Sequence, residues 1–413
     1  AIFVKALKLT YSQITAFLCF ATVLALAGFD ARTFLGNTIP IGWITSGILA
    51  LIIFCFLSLY TLPYKGQRPL NRIRTLDILV VLFIVLYGLK LIYNIYVEQI
   101  EQTTFNNRIT FAVYFLLLCI LPYMICRRIH WEDIDIKKLL WFLFFVLLAG
   151  LVISYRQISQ MLLMGENAYE NRFNANDLLD TIGYGHMALS FILVCFSLSC
   201  MYKEAWRYAF IIPILFGILS MGLANSRSPF VALMAILSIY AIVKLNAKIL
   251  LSVILICVLF ILNINSINLL FKEQFNSSFI ERFLTIFEFS MQNSSGRDAF
   301  YKEGMDMFLQ YPVFGRAILL MGELKGGYVH NLFLEVLMST GMIGCLFFLT
   351  INIKIIQSVF YLIKHNSQYL FFALIFIQFF IMLQFSRTLI VVPQYWMALS
   401  SVFTIYIWEK NKL

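Results

Sequence analysis

Apolar runs, each about as long as a bilayer is thick, follow one another along this chain, and its charges fall in the gaps between them. A helix needs about 20 mostly apolar residues to cross the hydrocarbon core. Such runs are expected near 11–29, 41–60, 76–96, 109–126, 139–157, 185–202, 208–224, 229–244, 247–265, 333–360, 368–386 and 391–408. Lipid offers no partner to a backbone N–H or C=O, so spans of this kind must be helices. The pattern predicts an all-α integral membrane protein, with about twelve transmembrane helices in a single polytopic domain over 1–413. Composition agrees: 61% of residues are hydrophobic and 13% charged, against about 25% charged in a soluble domain. The first run has no small-residue cleavage site and is expected to be a retained helix.

Lysines and arginines in the short loops set the orientation. Lys65, Arg68, Arg72 and Arg74 lie in one loop, and Arg127, Arg128, Lys137 and Lys138 in another. Lys203, Arg207, Lys244, Lys248, Lys364, Lys410 and Lys412 fall on the same side, as do Lys5 and Lys8. That side is expected to be cytoplasmic, with both termini there. The net charge of +10 is then an orientation signal, and no basic domain is present to hold nucleic acid. The eight cysteines lie mostly in apolar runs, with no CxxC or Cys/His cluster to suggest a metal site or a disulfide framework.

Two external segments stand out, 158–184 and a large one at 266–330, since structureless loops of such length are uncommon unless functional. Within the second, Asn293, Ser294 and Ser295 can cap a surface helix near 296–311. Phe300, Gly304, Met307 and Phe308 share one face of it, and Pro312 stops it. The external and near-external cations are mostly arginines: Arg32, Arg108, Arg156, Arg172, Arg227, Arg282, Arg297, Arg316 and Arg387, joined by Lys272, Lys302 and Lys325. Arginine holds phosphate in a planar fork and tolerates partial burial, so the set suggests a phosphate or pyrophosphate lipid head group. For any single arginine the competing reading is a solvated or snorkelling side chain. Arg227 stands out, because the loop ANSRSPFVAL is short enough to hold it close to the bilayer.

Four histidines occur in the chain. His330 ends the long external loop and opens HNLFLEVLMSTGMIG, whose glycines permit close helix packing or a break. Gly341 is expected to divide a half-helix at 331–340 from a full span beginning near 342. A neutral imidazole is a suitable general base for a hydroxyl nucleophile, which makes His330 the leading candidate and His186, in GYGHMAL, the second. His130 and His365 fall in cytoplasmic loops. Glu335 is positioned either to orient another group or to pair with an arginine. Asp177 and Asp180, in NDLLD, are spaced for one helix face but form no external DxD pair, and no metal is expected.

HNLFLEVLMSTGMIG fits the pattern His-(Asn/Ser/Gln)-nine residues-Gly-two residues-Gly and resembles the bacterial O-antigen ligase and O-antigen polymerase superfamily. NSRSPFVAL resembles that family's Ser-Arg segment, and SGRDAFYKEGMDMFLQYPVFG its Ser-Gly-Arg…Pro-x-x-Gly segment. The three occur in the family's order, and the layout matches over nearly the whole chain. The resemblance implies a GT-C-like inner-membrane glycosyltransferase with a large periplasmic loop before the tenth span and an active site facing the periplasm. The donor it implies is a glycan on undecaprenyl pyrophosphate. His330 would act as base on an acceptor sugar hydroxyl, Arg227, Arg297 and Arg172 would hold the pyrophosphate, and the reaction would invert the anomeric centre without metal or cofactor. Arg316 is a secondary candidate. The acceptor is a repeat unit in a polymerase, lipid A core in a ligase, and protein in an O-oligosaccharyltransferase. Arg172 precedes Gly183, and Arg316 precedes Gly327, by the ten-residue spacing described for some polymerases, which tilts the reading that way. A flippase and a chain-length regulator are candidate partners. The contrasting class is a flippase-type transporter, for which twelve spans are also a common layout. Against that, the halves show no repeat, and charge gathers at the outer edge, with Lys90 and Glu335 the main exceptions.

Overall fold

The computed structural model describes residues 10–25, 74–98, 108–163, 180–224, 226–244, parts of 251–275, 297–365 and 368–412. Every regular element among them is helical. In chain order these are α1 (Tyr11–Ala25), α2 (Thr75–Tyr96), α3 (Arg108–Tyr114), α4 (Leu121–Arg128), α5 (Ile136–Leu163), α6 (Thr181–Met201), α7 (Ile211–Leu223), α8 (Ser228–Lys244), α9 (Ile264–Phe275), α10 (Arg297–Gln310), α11 (Leu332–Lys364), α12 (Leu370–Phe385) and α13 (Pro393–Lys412). A π-helical stretch, Phe115–Ile120, joins α3 to α4, so the pair forms one span.

Among the described residues six helical segments are long and apolar enough to cross a membrane: Thr75–Tyr96, Phe111–Arg128, Ile136–Tyr155, Thr181–Met201, Trp206–Leu223 and Leu332–Lys364. Shorter apolar helices cover Ser12–Ala25, Ser228–Lys244 and Leu370–Phe385. Of the twelve expected spans, 41–60 lies outside the described residues, and 11–29 and 247–265 are described only in part. The last expected span is the helix α13, whose end carries Glu409, Lys410 and Lys412.

Burial separates a lipid-type surface from a packed centre. On α2, Ile78, Val81, Leu82, Val85, Leu89 and Ile92 are exposed, while Val80, Phe83, Tyr87, Leu91 and Asn94 are buried. Both sets recur at helical spacing, so α2 turns one apolar face outward and one inward. In water that outer stripe would be an aggregation surface, and a bilayer accounts for it. By contrast α6 and α12 are buried nearly all round, which marks them as central helices. Between them sits a buried polar set. Gln378 Nε2 donates to the His186 carbonyl (2.7 Å), the Ser190 hydroxyl donates to the same carbonyl (2.9 Å), and His186 Nε2 lies 2.9 Å from Ser228 Oγ on α8. Buried polar groups must be paired where water is absent, and here one cluster ties three helices together.

Candidate active site

The site is built on an interrupted helix. Residues Leu332–Thr340 and the stretch after Gly341 form two halves of α11, and Gly341 between them has φ 65° and ψ −164°. Breaking a helix frees backbone donors and acceptors, and the loop after α10 takes them up. Met342 N donates to the Pro312 carbonyl (2.8 Å), Ile343 N to the Val313 carbonyl (3.3 Å), and Arg316 N to the Met338 carbonyl (2.8 Å). Both approaches require glycine. A Cβ on Gly341 would lie 2.3 Å from the Val313 oxygen, and one on Gly315, whose φ is 64°, would lie 2.4 Å from the Ser339 carbonyl carbon. Lys90 on α2 donates to the Gly315 carbonyl at 2.8 Å. The Pro-x-x-Gly and Gly-x-x-Gly signatures are therefore two sides of one junction. Gly344 is helical, and a Cβ there would strike the Thr340 side chain at 2.1 Å.

This junction presents the mouth of α11. Asn331 caps the helix: its Oδ1 accepts from Leu334 N at 3.0 Å, and its Nδ2 reaches the Gln384 carbonyl at 3.4 Å. Asparagine is among the preferred residues for that role. His330, immediately before it, adopts φ 52°, a left-handed conformation that costs a non-glycine residue about 1–2 kcal/mol. Its ring lies against Tyr328 (centroids 4.2 Å apart) and meets Phe300 of α10 edge-on (5.8 Å). His330 Nδ1 is buried, with no hydrogen-bond partner among the described residues. Burial, reinforced by the Arg297 charge, pushes His330 down to about 4, so the imidazole is neutral at physiological pH.

Helix α10 packs over this mouth. Gly304 is buried, and a Cβ there would meet Val329 Cγ1 at 2.5 Å. The packing sets Arg297, at the start of α10, within electrostatic reach of both His330 and Tyr328.

Glu335, one turn inside α11, is fully buried. Among the described residues it pairs with no arginine: it accepts from Tyr87 OH on α2 (2.5 Å), Thr388 Oγ1 (2.8 Å) and Leu389 N (3.1 Å). One carboxylate thereby joins α2, the α11 mouth and the loop between α12 and α13. Arg387 in that loop has φ 68°, and its Nη2 donates to Asp180 Oδ1 at 2.5 Å. Asp180 also accepts from Gly183 N (2.7 Å) as the N-cap of α6.

The remaining candidates are placed as follows. Arg227 immediately precedes α8, whose Ser228 is bonded to His186 of α6. His186 itself is buried inside the helix set. Arg316 pairs with Glu98 (3.5 Å) and covers the Tyr311 ring (5.0 Å), so its charge is engaged at the end of α2. Arg172 and Asp177 lie outside the described residues. The structure thus brings together His330, Arg297, Tyr328 and, through Glu335, the Arg387 loop. Tyr328 carried no motif in the sequence, and Arg387 stood there only as one external arginine among many.

Residues 212–349 match the family model described as O-antigen ligase. The matched stretch holds α7 to α10, the start of α11, and Arg227, Arg297, Arg316, His330 and Glu335. No curated protein matches the chain.

Proposed function

We propose that this chain, whose residues 212–349 match the family model described as O-antigen ligase, is a membrane glycosyltransferase polymerising undecaprenyl-pyrophosphate-linked oligosaccharide repeat units. Its place would be the bacterial inner membrane, with the site facing the periplasm. The observation that carries this reading is a histidine held in a left-handed turn at a helix mouth, packed against Tyr328 and against Phe300 of the helix that Arg297 opens.

In the proposed reaction an acceptor sugar hydroxyl attacks the anomeric carbon of the lipid-linked glycan. The new glycosidic C–O bond forms on the face opposite the bond to pyrophosphate, so configuration inverts. His330 takes the hydroxyl proton, and the bonding pair of the broken C–O bond leaves with the lipid pyrophosphate. Arg297, with Arg227 and Arg172, neutralises the departing charge, the role that preorganised cations play at developing anions. Pyrophosphate beside Arg297 would offset the positive charge that depresses His330 and make the imidazole a stronger base when substrate is bound. No metal is needed in this scheme.

The Arg172–Gly183 and Arg316–Gly327 spacings favour polymerase. The matched family's description favours a second reading, a ligase passing the glycan to lipid A core. Purified protein in nanodiscs, given the lipid-linked oligosaccharide alone and then with lipid A core, separates them. Chains lengthening by whole repeats without core support the polymerase. Transfer only when core is added supports the ligase. Lipid binding with no transfer to either acceptor would favour a transporter and sink the proposal.

A further inference from the structure

Among the described residues only His330 and Arg387 combine a side chain with a left-handed φ, at 52° and 68°. Such conformations persist where the surroundings impose them, and they gather at functional sites. For Arg387 the imposing groups are visible. Just before it, Ser386 N closes α12 on the Met382 carbonyl at 2.9 Å. Just after it, Thr388 and Leu389 are both held by Glu335, and the Leu389 carbonyl accepts from Trp396 Nε1 at 3.1 Å. The turn between these anchors directs the guanidinium out of the buried network, and its side chain stays 30% exposed beside Asp180.

Two further observations link Arg387 to the histidine. Glu335, which fixes the Arg387 turn, stands one turn inside the half-helix that His330 opens. Tyr328, in contact with the His330 ring, feels the charges of both Arg387 and Arg297. Arg297, carried by α10, therefore acts on both rings of this pair, and Arg387, carried by the α12–α13 loop, on the tyrosine that packs against the imidazole. Arg387 and Asp180 both lie outside the stretch matched to the family.

We infer that Arg387 is a further anion-binding residue of this site, which takes a phosphate group of the lipid pyrophosphate, and that Asp180 holds its guanidinium until the anion displaces the carboxylate. The inference rests on the proposed pyrophosphate chemistry. Asp180 is 39% exposed at its side chain, and a partly exposed ion pair is weak. A diphosphate offers the same fork more charge and more acceptor oxygens. The exchange keeps Arg387 paired in both states and leaves Asp180 with its second role, capping α6.

The test is binding of undecaprenyl pyrophosphate to the full chain in nanodiscs, with thermal unfolding measured alongside. Arg387→Gly removes the guanidinium while suiting the backbone, so folding is preserved or improved. It is expected to weaken binding roughly tenfold, as the loss of a charge-assisted contact does. Asp180→Asn keeps the cap but frees the arginine, and it is expected to tighten binding several-fold. Opposite shifts in one assay are not what a purely structural salt bridge would give. Displacement by inorganic pyrophosphate would identify the diphosphate itself as the ligand, and displacement only by undecaprenyl phosphate a lipid monophosphate head group. If wild type binds and both variants match it, Arg387 is structural and this inference fails alone. If wild type does not bind the lipid pyrophosphate, the functional reading fails with it.

Discussion

His330 owes its chemistry to what lies within a few ångströms. Burial and the Arg297 charge hold it at about 4, so it is neutral where an unperturbed imidazole would be partly protonated. The acid limb of kcat/KM due to His330 is therefore expected below pH 6.5 in the free enzyme. Replacing Arg297 with Gln should move that limb upward, because one of its two causes is gone. A pH–rate profile of each protein reads this directly, and an unmoved limb would separate Arg297 from the base. Stability has a matching sign. The folded pKa lies below the unfolded one, so the His330 contribution is intact above pH 6.5 and is lost as pH falls toward 4. Asn331→Ala should cost about 1 kcal/mol by removing the cap, and it should lower activity beyond that by loosening the mouth, which unfolding and turnover measured together will show. In the sequence His330 was legible as a rare titratable residue at a span edge. Glu335 was legible as a buried charge, but its partners were not, since Tyr87 and Thr388 stand 248 and 53 residues away and no local pattern links them.

The interlock of α11 with the 312–316 loop is the feature on which everything at the mouth depends. Gly341→Ala and Gly315→Ala each place a Cβ within 2.4 Å of backbone at a left-handed φ. Each is expected to destabilise the protein by about 1–3 kcal/mol and to reduce activity by letting the first half of α11 shift. Thermal unfolding in detergent tests the first effect, and neutral behaviour of both variants would show that the junction is not a constraint. The break at Gly341 could be read from glycine inside an apolar run, because helices rarely carry one without a reason. What could not be read was its complement. The motif around Pro312 looked like a helix stop, and only the fold reveals that its carbonyls satisfy the amides freed 30 residues later. Lys90 likewise looked like a charge stranded in the bilayer, whereas its ammonium lies on the Gly315 carbonyl.

At the scale of the whole molecule, apolar length was the legible quantity. Among the described residues six segments meet the length and apolarity needed to cross a bilayer, and the short helix α12 is buried nearly all round, as the long α6 is. Mean apolarity reports burial but not whether lipid or protein provides it, so α2, with an exposed apolar stripe, and α12, with none, read alike in sequence. The exposed stripe predicts that the protein partitions with membranes and stays in solution only in detergent or lipid, which fractionation after carbonate washing will test. The direct measurement of the central claim is turnover of an undecaprenyl-pyrophosphate oligosaccharide by wild type and His330→Ala, both in nanodiscs and EDTA, with lipid binding and unfolding followed in parallel. If His330 is the base of a metal-independent transfer, wild type forms glycosidic product and the variant slows by about 10²–10⁴-fold while still binding lipid and unfolding normally. A folded His330→Ala protein that turns over at the wild-type rate, or a wild type silenced by EDTA, would contradict it.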